Sequence, residues 1–347
     1  MCRFNKKGMP RVRIAVDVMG TDYGPEEIIK GAIEAVEEYK CEVVLVGDES
    51  QIRTILAKHH AQNNTKLLIH HASQVITMSE HPGIAVKTKK DAFIVVATSL
   101  LHKKECDALV SSGSTGAAVA AALFGLGRIK GIERPSIATP IPNLKGTTVL
   151  LDSGAKVDAK PSQMVQGAIM GSIYAELLLG IKQPRVGLLN IGEEETKGNE
   201  QALATYPLLK KAQNINFVGN VEGRDMNAGT VDVVVCDGFV GNVVLKVSEG
   251  LARAIMKLIK EALINGGFLA KVGAVLIKQA LKGLKKKLDP AEYGGALLLG
   301  VKAPFIICHG SSKAKAIKNA IGVAIDFATK DVVGRIGAEI AQYSGRE

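Results

Sequence analysis

The residues best suited to chemistry form a small-residue loop in the first third of the chain. This loop follows a β-branched run that ends at Ser111. The loop residues are Ser112, Gly113, Ser114, Thr115 and Gly116. Glycines let backbone N–H groups approach an anion, hydroxyls add donors, and the helix that follows contributes its positive end. The loop therefore predicts a phosphate cradle, although the same residues also fit a tight turn that caps a helix. It has neither the GxxxxGK[ST] nor the GxGxxG spacing of nucleotide-binding loops.

Five further predicted strands end in loops that combine glycine with polar side chains. The candidate site residues in them are Asp17, Gly20, Asp22, Lys156, Asn190, Glu193, Lys197, Asn199, Asp237, Asn242 and His309. Each type also has a structural interpretation: an acid caps a helix, an amide orders a turn, a lysine is solvated, and a lone histidine packs or pairs. Six such loops are more than turn formation requires.

The elements that must position these loops are short strands separated by helical patterns. The predicted strands are Arg13 to Val18, Val43 to Val46, Ala108 to Ser111, Thr148 to Leu151, Val186 to Ile191, Val231 to Cys236 and Phe305 to Cys308. The spacing predicts βαβ units in a mostly parallel sheet with helices on both faces. Ligands of such sheets bind at the carboxyl ends of the strands. We expect one α/β catalytic unit over residues 11–347, after a leader or disordered extension at 1–10.

A second pattern, without strand signals, covers residues 248–290. Apolar side chains recur at helical spacing from Leu251, Asn265-Gly266-Gly267 interrupts the pattern, and lysines follow. This predicts a helical hairpin inserted in the α/β unit. Its candidate contacts to a membrane or a carrier protein are Phe268, Leu269, Lys271 and Val272. Packing of its apolar faces in a dimer is the alternative.

Composition narrows the partners. The 347 residues carry a net charge of +10, and Leu251 to Pro290 holds nine Lys or Arg against two acids. Trp is absent and aromatics are 4% of the chain, so stacking platforms for nucleic acid are poorly represented. The five cysteines lack CxxC spacing, which predicts neither a disulfide framework nor a zinc site. The sequence contains no run of about 18 apolar residues, so it predicts no membrane-spanning helix. We expect a cytoplasmic protein.

Eight motifs in order resemble the phosphate acyltransferase family of bacterial phospholipid synthesis. They are DVMGTD, SSGSTGA, DSGAKVD, NIGEEETKGN, GNVEGRD, CDGFVGNVVLK, YGGALLLG and HGSS. The resemblance implies an isocitrate/isopropylmalate dehydrogenase-like α/β fold and a homodimer. It implies transfer of a fatty acyl group from acyl carrier protein to inorganic phosphate, without a metal or other cofactor.

The resemblance also implies partners beyond the substrates. We expect peripheral association with the inner face of the cell membrane through its anionic surface. The acyl phosphate would supply glycerol-3-phosphate acylation, with the membrane glycerol-3-phosphate acyltransferase as a candidate partner. Nucleic acid is not expected.

Direct attack of phosphate on the thioester requires an anion site and donors for the tetrahedral oxyanion. We assign phosphate binding to Ser112, Gly113, Ser114, Thr115, Gly116 and Lys156. Lys197, His309, Asn242 and Asp237 are the catalytic candidates, with Lys197 as a positive charge and His309 as a donor to the carbonyl oxygen or leaving sulfur. Asp17, Gly20, Asp22, Asn190, Glu193 and Asn199 are assigned to substrate loops.

Three other functions remain open from the sequence. A phosphotransacetylase would use short acyl-coenzyme A thioesters instead of a carrier protein. A catalytically idle membrane scaffold would not need the polar strand-end loops. An NAD-linked dehydrogenase rests on fold analogy and lacks a dinucleotide fingerprint.

Overall fold

A mixed sheet organises the part of the chain that the computed structural model describes, residues 12–77 and 79–344. The predicted leader at 1–10 and the side chain of Lys271 lie outside the described residues. In chain order the described strands are β1 (Arg13–Asp17), β2 (Glu42–Gly47), β3 (Leu67–His71), β4 (Ala108–Ser111), β5 (Ser136–Pro142), β6 (Thr147–Leu151), β7 (Arg185–Leu189), β8 (Asn216–Val221), β9 (Val233–Val235), β10 (Ala296–Leu299) and β11 (Phe305–Ile307).

Helices fill the connections between these strands. Those described are α1 (Pro25–Tyr39), α2 (Glu49–Lys58), α3 (Pro82–Thr88), α4 (Phe93–His102), α5 (Thr115–Gly125), α6 (Pro161–Leu177), α7 (Glu200–Lys211), α8 (Gly223–Ala228), α9 (Gly238–Asn265), α10 (Gly267–Leu288), α11 (Ala314–Thr329) and α12 (Val332–Ser344), with a 3-10 turn at Pro290–Glu292.

The sheet consists of two parallel blocks that run in opposite directions. Its strand order is β3-β2-β1-β4-β11-β10-β5-β6-β9-β7-β8. The pairs from β3 to β11 are parallel, and so are the pairs from β6 to β8. Between the blocks, the three pairs β11·β10, β10·β5 and β5·β6 are antiparallel. Three reversals leave the blocks opposed, so their carboxyl ends lie at opposite edges of the sheet.

The central strands are covered on both faces. All four residues of β4 and all three of β9 are buried, and a strand exposes alternate residues unless both faces are packed. Helix α1 packs against α11, whereas α4 packs against α5 and α6 against α7. The edge strand β3 is largely exposed after Leu67. The mostly parallel α/β sheet with packed helices agrees with the sequence-based prediction.

Helices α9 and α10 form the hairpin and pack along each other. They meet at Gly266, within the break that the sequence indicated. Helix α9 begins at Gly238 rather than near Ser248, because the Asp237 carboxylate accepts hydrogen bonds from the N–H groups of Phe239 and Val240 and caps it there. Its first turns therefore lie beside the loops that follow β6 and β9.

Candidate active site

The loops that follow β1, β4 and β11 meet at one edge of the sheet. Gly20 lies so close to Gly113 that a Cβ on Gly20 would overlap the Gly113 backbone. The N–H of Asp22 donates to the Gly310 carbonyl at 2.8 Å, which ties the first loop to the third. We call these loops the first loop group. It brings together the candidates Asp17, Gly20, Asp22, Ser112, Gly113, Ser114 and His309.

Asp17 is the buried acid of the first loop group. Ser111 Oγ donates to its Oδ2 at 2.8 Å, and the Met19 N–H donates to Oδ1 at 3.1 Å. Burial raises the pKa of this carboxyl to about 7, although the two donors oppose the rise. Only 4% of Asp17 is exposed, yet it lines a cavity beside the loop. A carboxyl with this pKa can hold and release a proton at neutral pH.

The small-residue loop after β4 opens helix α5 as the sequence predicted. Ser114 is its N-cap, with Oγ accepting from the Ala117 N–H at 3.4 Å, and Thr115 and Gly116 are exposed on the first turn. The Ser112 hydroxyl is buried and has no hydrogen-bond partner among the described residues. A buried hydroxyl without a partner is uncommon in folded proteins and is satisfied by water or a ligand.

The loops that follow β6 and β9 meet at the opposite edge and form the second loop group. Asp152 lies at its centre and accepts N–H donors from Ile137, Gly154 and Ala155 on Oδ1 and from Lys156 on Oδ2, at 3.0 to 3.1 Å. Burial raises the pKa of Asp152, and these donors oppose the rise.

The start of α9 packs against the same loop. A Cβ on Gly241 would overlap the Asp152 carbonyl, so only glycine permits this approach. Asn242 is exposed and lies beside Gly154. Asp237, predicted as catalytic, caps α9 with one of its carboxylate oxygens. The second loop group therefore brings together Lys156, Asp237 and Asn242.

The loop after β7 holds the remaining candidates. Asn190 is bound within it, since Nδ2 donates to the Lys197 carbonyl at 2.9 Å and Oδ1 accepts from the Ile191 N–H. Asn199 caps α7 by accepting from the Ala202 N–H at 2.9 Å. Lys197 and Glu193 are exposed, and neither forms a side-chain ion pair among the described residues. No contact in the described structure joins Lys197 to the first loop group.

Helix α5 connects the two loop groups across one face of the sheet. Its eleven residues span roughly 16 Å at 1.5 Å each, about the length of a strand of the sheet. An open cleft of about 400 Å³ runs along its exposed side. The cleft is lined by Thr115 and Gly116 at one end and by Gly154, Ala155 and Arg134 across from the helix. Of the phosphate-binding candidates, Thr115 and Gly116 thus line the same cleft as Gly154 and Ala155 of the second loop group.

Lys246 provides a second link between the two loop groups. It lies on α9, four residues after Asn242 and so on the same helix face, and its Nζ is 3.3 Å from His309 Nε2. An ammonium has no lone pair, so the Nε2 that pairs with it is the acceptor, and the ring proton lies on Nδ1, 2.7 Å from Ser311 Oγ. In the other tautomer the Ser311 N–H donates to Nδ1, but Nε2–H then faces the ammonium.

This contact changes the assignment that the sequence suggested for His309. While Lys246 is charged and bonded to it, His309 Nε2 has no proton to donate to substrate. The geometry instead favours Lys246 as the donor and His309 as its support.

The cavity beside the first loop group has a volume of about 300 Å³. Its polar lining residues are Asp17, Thr21, Asp22, Thr77, Ser111 and Ser114. The rest of the lining is largely apolar and includes Met19, Val75, Ile76, Phe93, Ile94 and Ala117. It combines a few polar groups with apolar walls, as small-molecule sites do.

Comparison with known proteins agrees with the motifs. The family model described as "Fatty acid synthesis protein" matches residues 12–335. A phosphate acyltransferase of Pelotomaculum thermopropionicum is 60% identical over 313 residues, which cover 90% of each chain. The chain belongs to the phosphate acyltransferase family. A phosphate acyltransferase of Aquifex aeolicus, 54% identical over 92% of this chain and 94% of its own, agrees. The resemblance read from the sequence is confirmed.

Solved structures show that the fold of this phosphate acyltransferase family member is shared more widely. A phosphotransacetylase from Streptococcus pyogenes aligns with a TM-score of 0.62 at 15% identity, covering 92% of this chain and 95% of its own. A phosphotransacetylase from Staphylococcus aureus gives a TM-score of 0.60 at 15% identity, with coverage of 92% and 94%. At this identity the likeness concerns the fold alone.

The described cysteines of this phosphate acyltransferase family member do not favour a thiol nucleophile. Cys41, Cys106, Cys236 and Cys308 are buried and free. Burial raises the pKa of Cys308 to about 12 and that of Cys236 well above its ordinary value, so both thiols stay protonated at neutral pH. Residues 12–77 and 79–344 contain no cluster of three or more His, Cys, Asp or Glu suited to a metal ion. No helix among them is long and apolar enough to span a bilayer.

Sequence reasoning missed two cationic residues of the site. Lys246 had an available signal, because its spacing of four from Asn242 places both on one helix face. Arg134 had none, since it lies in an irregular segment before β5 and reaches the cleft only through the tertiary fold.

Proposed function

We propose that the protein transfers a fatty acyl group from an acyl carrier protein thioester to inorganic phosphate, which gives acyl phosphate and free carrier protein. As a member of the phosphate acyltransferase family it is an acyltransferase. The structural observation that carries the proposal is the cleft along α5, which is lined by the anion-binding start of the helix and by Arg134 and lies beside a largely apolar cavity.

In the proposed reaction a phosphate oxygen attacks the thioester carbonyl carbon directly. The new C–O bond forms, the C–S bond breaks, and the proton of the phosphate passes to the leaving sulfur. Asp17 is placed to carry that proton: it lines the cavity and has a pKa near neutrality. As a neutral acid it protonates the sulfur, and the proton of the phosphate restores it. Proton transfer of this kind is fastest when the pKa of the group lies near the working pH.

The tetrahedral intermediate needs donors for its oxyanion. Loop N–H groups at the start of α5 and the Lys246 ammonium are the proposed donors. His309 Nε2 and Glu249 Oε2 each accept from the ammonium, at 3.3 and 3.4 Å, which leaves one N–H of Lys246 for substrate. Asn242, on the same face of α9, is a proposed polar contact at the other end of the cleft.

The apolar cavity is the proposed receptor for the start of the acyl chain. Its polar side lies at Ser111 and Ser114, and its apolar walls extend from Met19 to Phe93. A neutral Asp17 is compatible with a methylene chain, whereas an ionised one is not. Its volume of about 300 Å³ accepts part of a long chain, so the remainder would extend outside it.

We also propose that the hairpin contacts an anionic membrane surface and that the enzyme acts as a homodimer. At the tip, Phe268 is 80% and Leu269 83% exposed, and Val272 is partly exposed. Along α9 the apolar Val243, Val247 and Leu251 are exposed too, which supports packing against a second copy. The isocitrate dehydrogenase-like relationship, the cytoplasmic location and contact with the membrane glycerol-3-phosphate acyltransferase remain predictions.

The substitution Leu269→Ser should lower partition of the protein onto anionic vesicles without changing activity toward soluble substrate. Unchanged partition would exclude the hairpin tip as the membrane contact.

The competing function is that of a phosphotransacetylase that uses short acyl-coenzyme A. This alternative is considered because solved phosphotransacetylases share the fold. Acyl phosphate can be trapped with hydroxylamine while palmitoyl carrier protein, palmitoyl-coenzyme A and acetyl-coenzyme A are compared as donors. We expect phosphate-dependent hydroxamate from palmitoyl carrier protein and little from acetyl-coenzyme A. The reverse preference would establish the phosphotransacetylase, and binding without turnover of any donor would support a scaffold.

A further inference from the structure

Two cations lie at the part of the cleft that the second loop group borders. Arg134 is exposed and lines the cleft, and Lys156 directly follows Ala155 of its lining. They are close enough to interact: burial lowers the pKa of the Lys156 ammonium, and the positive charge of Arg134 lowers it further, against Asp152 and Glu133. No carboxylate among the described residues forms an ion pair with either side chain.

The nearby acids are occupied by neutral donors. The Glu133 carboxylate accepts from Ser162 Oγ at 2.8 Å and from Gln163 Nε2 at 3.0 Å. The Asp152 carboxylate accepts four backbone N–H groups at 3.0 to 3.1 Å. Neither carboxylate accepts a hydrogen bond from the Arg134 guanidinium. Arg134 and Lys156 therefore keep N–H donors that no carboxylate of the described residues occupies, although Asp152 and Glu133 are close enough to attract the Lys156 ammonium.

An anion that enters between the guanidinium and the ammonium would interact with both positive charges. The planar guanidinium offers paired N–H donors that match two oxygens of a phosphate, while an ammonium adds a point charge. Thr115, at the start of α5, lines another part of the same cleft.

We propose that Arg134 and Lys156 bind a phosphate group of the substrates in this cleft. This assignment rests on the proposed function. It adds Arg134 as a residue that determines which phosphate group of the substrates is bound. The phosphate has two chemical sources: inorganic phosphate, or the phosphodiester of the prosthetic arm that carries the acyl group on the carrier protein. Both present two non-bridging oxygens to a guanidinium.

The test measures KM for each substrate with two variants, Arg134→Gln and Arg134→Lys. Lys130→Gln is the matched control, because Lys130 is an exposed cation in the same α5–β5 connection and does not line the cleft. A third substrate, an acyl thioester of a short thiol without phosphate, separates the two sources. We expect Arg134→Gln to raise one KM by about tenfold or more, since a hydrogen bond to a charged group contributes about 1.5 to 3 kcal/mol, with Arg134→Lys intermediate and Lys130→Gln within twofold.

The pattern of KM identifies the source. A raised KM for inorganic phosphate, equal with carrier protein and with the phosphate-free thioester, assigns the site to inorganic phosphate. A raised KM for the acyl carrier protein that disappears with the phosphate-free thioester assigns it to the prosthetic arm. Folded Arg134→Gln protein with both KM values within twofold of wild type overturns the proposal.

Failure of the proposed function would give a different result. Wild-type protein that forms no acyl phosphate from any donor would refute the reaction, not the anion site. The site is then tested alone by calorimetric titration with inorganic phosphate, where Arg134→Gln is expected to weaken binding about tenfold. Equal binding by wild type and variant would overturn the site as well.

Discussion

The two loop groups each contain a buried aspartate after a strand, and the two carboxylates are held differently. Asp152 accepts four backbone N–H groups, which fix the loop of the second group. Asp17 accepts one hydroxyl and one N–H and faces a cavity. Burial raises the pKa of both. A carboxylate that its own loop saturates is a structural anchor, whereas one with fewer donors beside a cavity can exchange a proton with substrate.

The largest expected effect is on activity at Asp17. Asp17→Asn keeps the size of the side chain but removes its ability to carry a proton. We expect the turnover rate at pH 7 to fall by about 100- to 1,000-fold, within the usual contribution of general acid–base catalysis. Steady-state formation of acyl hydroxamate measures it. A variant with more than half of wild-type activity would show that Asp17 has no catalytic part.

The anchor role of Asp152 predicts a loss of stability. Asp152→Ala leaves four backbone N–H groups without their acceptor, including that of the buried Ile137, which should lower the free energy of unfolding by about 3 kcal/mol or more. Urea denaturation measures this. Asp158→Ala, an exposed acid at the end of the same loop, is the control and should stay within about 0.5 kcal/mol of wild type. Equal effects of the two substitutions would contradict the distinction between anchor and surface acid.

The raised pKa of Asp17 predicts a pH-dependent stability cost. Between its ordinary value of 3.8 and its folded value of about 7, the folded protein keeps a proton that the unfolded chain has released. Stability therefore falls as pH rises through this window. Asp17→Asn removes the penalty and should gain about 3 kcal/mol relative to wild type between pH 4.5 and 8, since one pKa unit corresponds to about 1.4 kcal/mol. A pH-independent difference would mean that Asp17 ionises freely in the fold.

The smallest expected effect concerns the contact between the groups. Lys246→Ala removes the proposed oxyanion donor at a half-exposed position and should lower kcat about tenfold with little change in KM. Lys257→Ala, farther along α9 and paired only with Glu261 among the described residues, is the control. A matched loss in both variants would point to general disturbance of α9 instead of a role for the contact with His309.

Much of the fold follows from the sequence, and its misses have physical causes. The buried strands β1, β2, β4 and β6 are short runs of mostly apolar residues. Strand β5 was missed because Pro140 and Pro142 interrupt its pattern, although an antiparallel partner on each side still holds it. Strand β8 was missed because Gly219 lies at a register shift. Missing β5 and β10 hid the reversals that send the two parallel blocks in opposite directions.

The site was predictable to the same degree. Loop composition identified the residues of both groups, because glycines and polar side chains after strands are visible in sequence. How the loops divide between two sheet edges depends on strand order, which composition does not encode. Arg134 and the contact between Lys246 and His309 depend on distant packing and became visible only in the fold.

The central claim is that phosphate attacks the thioester directly in the cleft between the two groups. Mixing enzyme with an excess of palmitoyl carrier protein in the absence of phosphate, and following free thiol during the first turnover, tests it most directly. Direct transfer predicts no thiol above the enzyme-free rate until phosphate is added, and then one acyl phosphate for each thiol released. A burst of thiol equal to the enzyme concentration without phosphate would reveal an acyl-enzyme and contradict direct transfer.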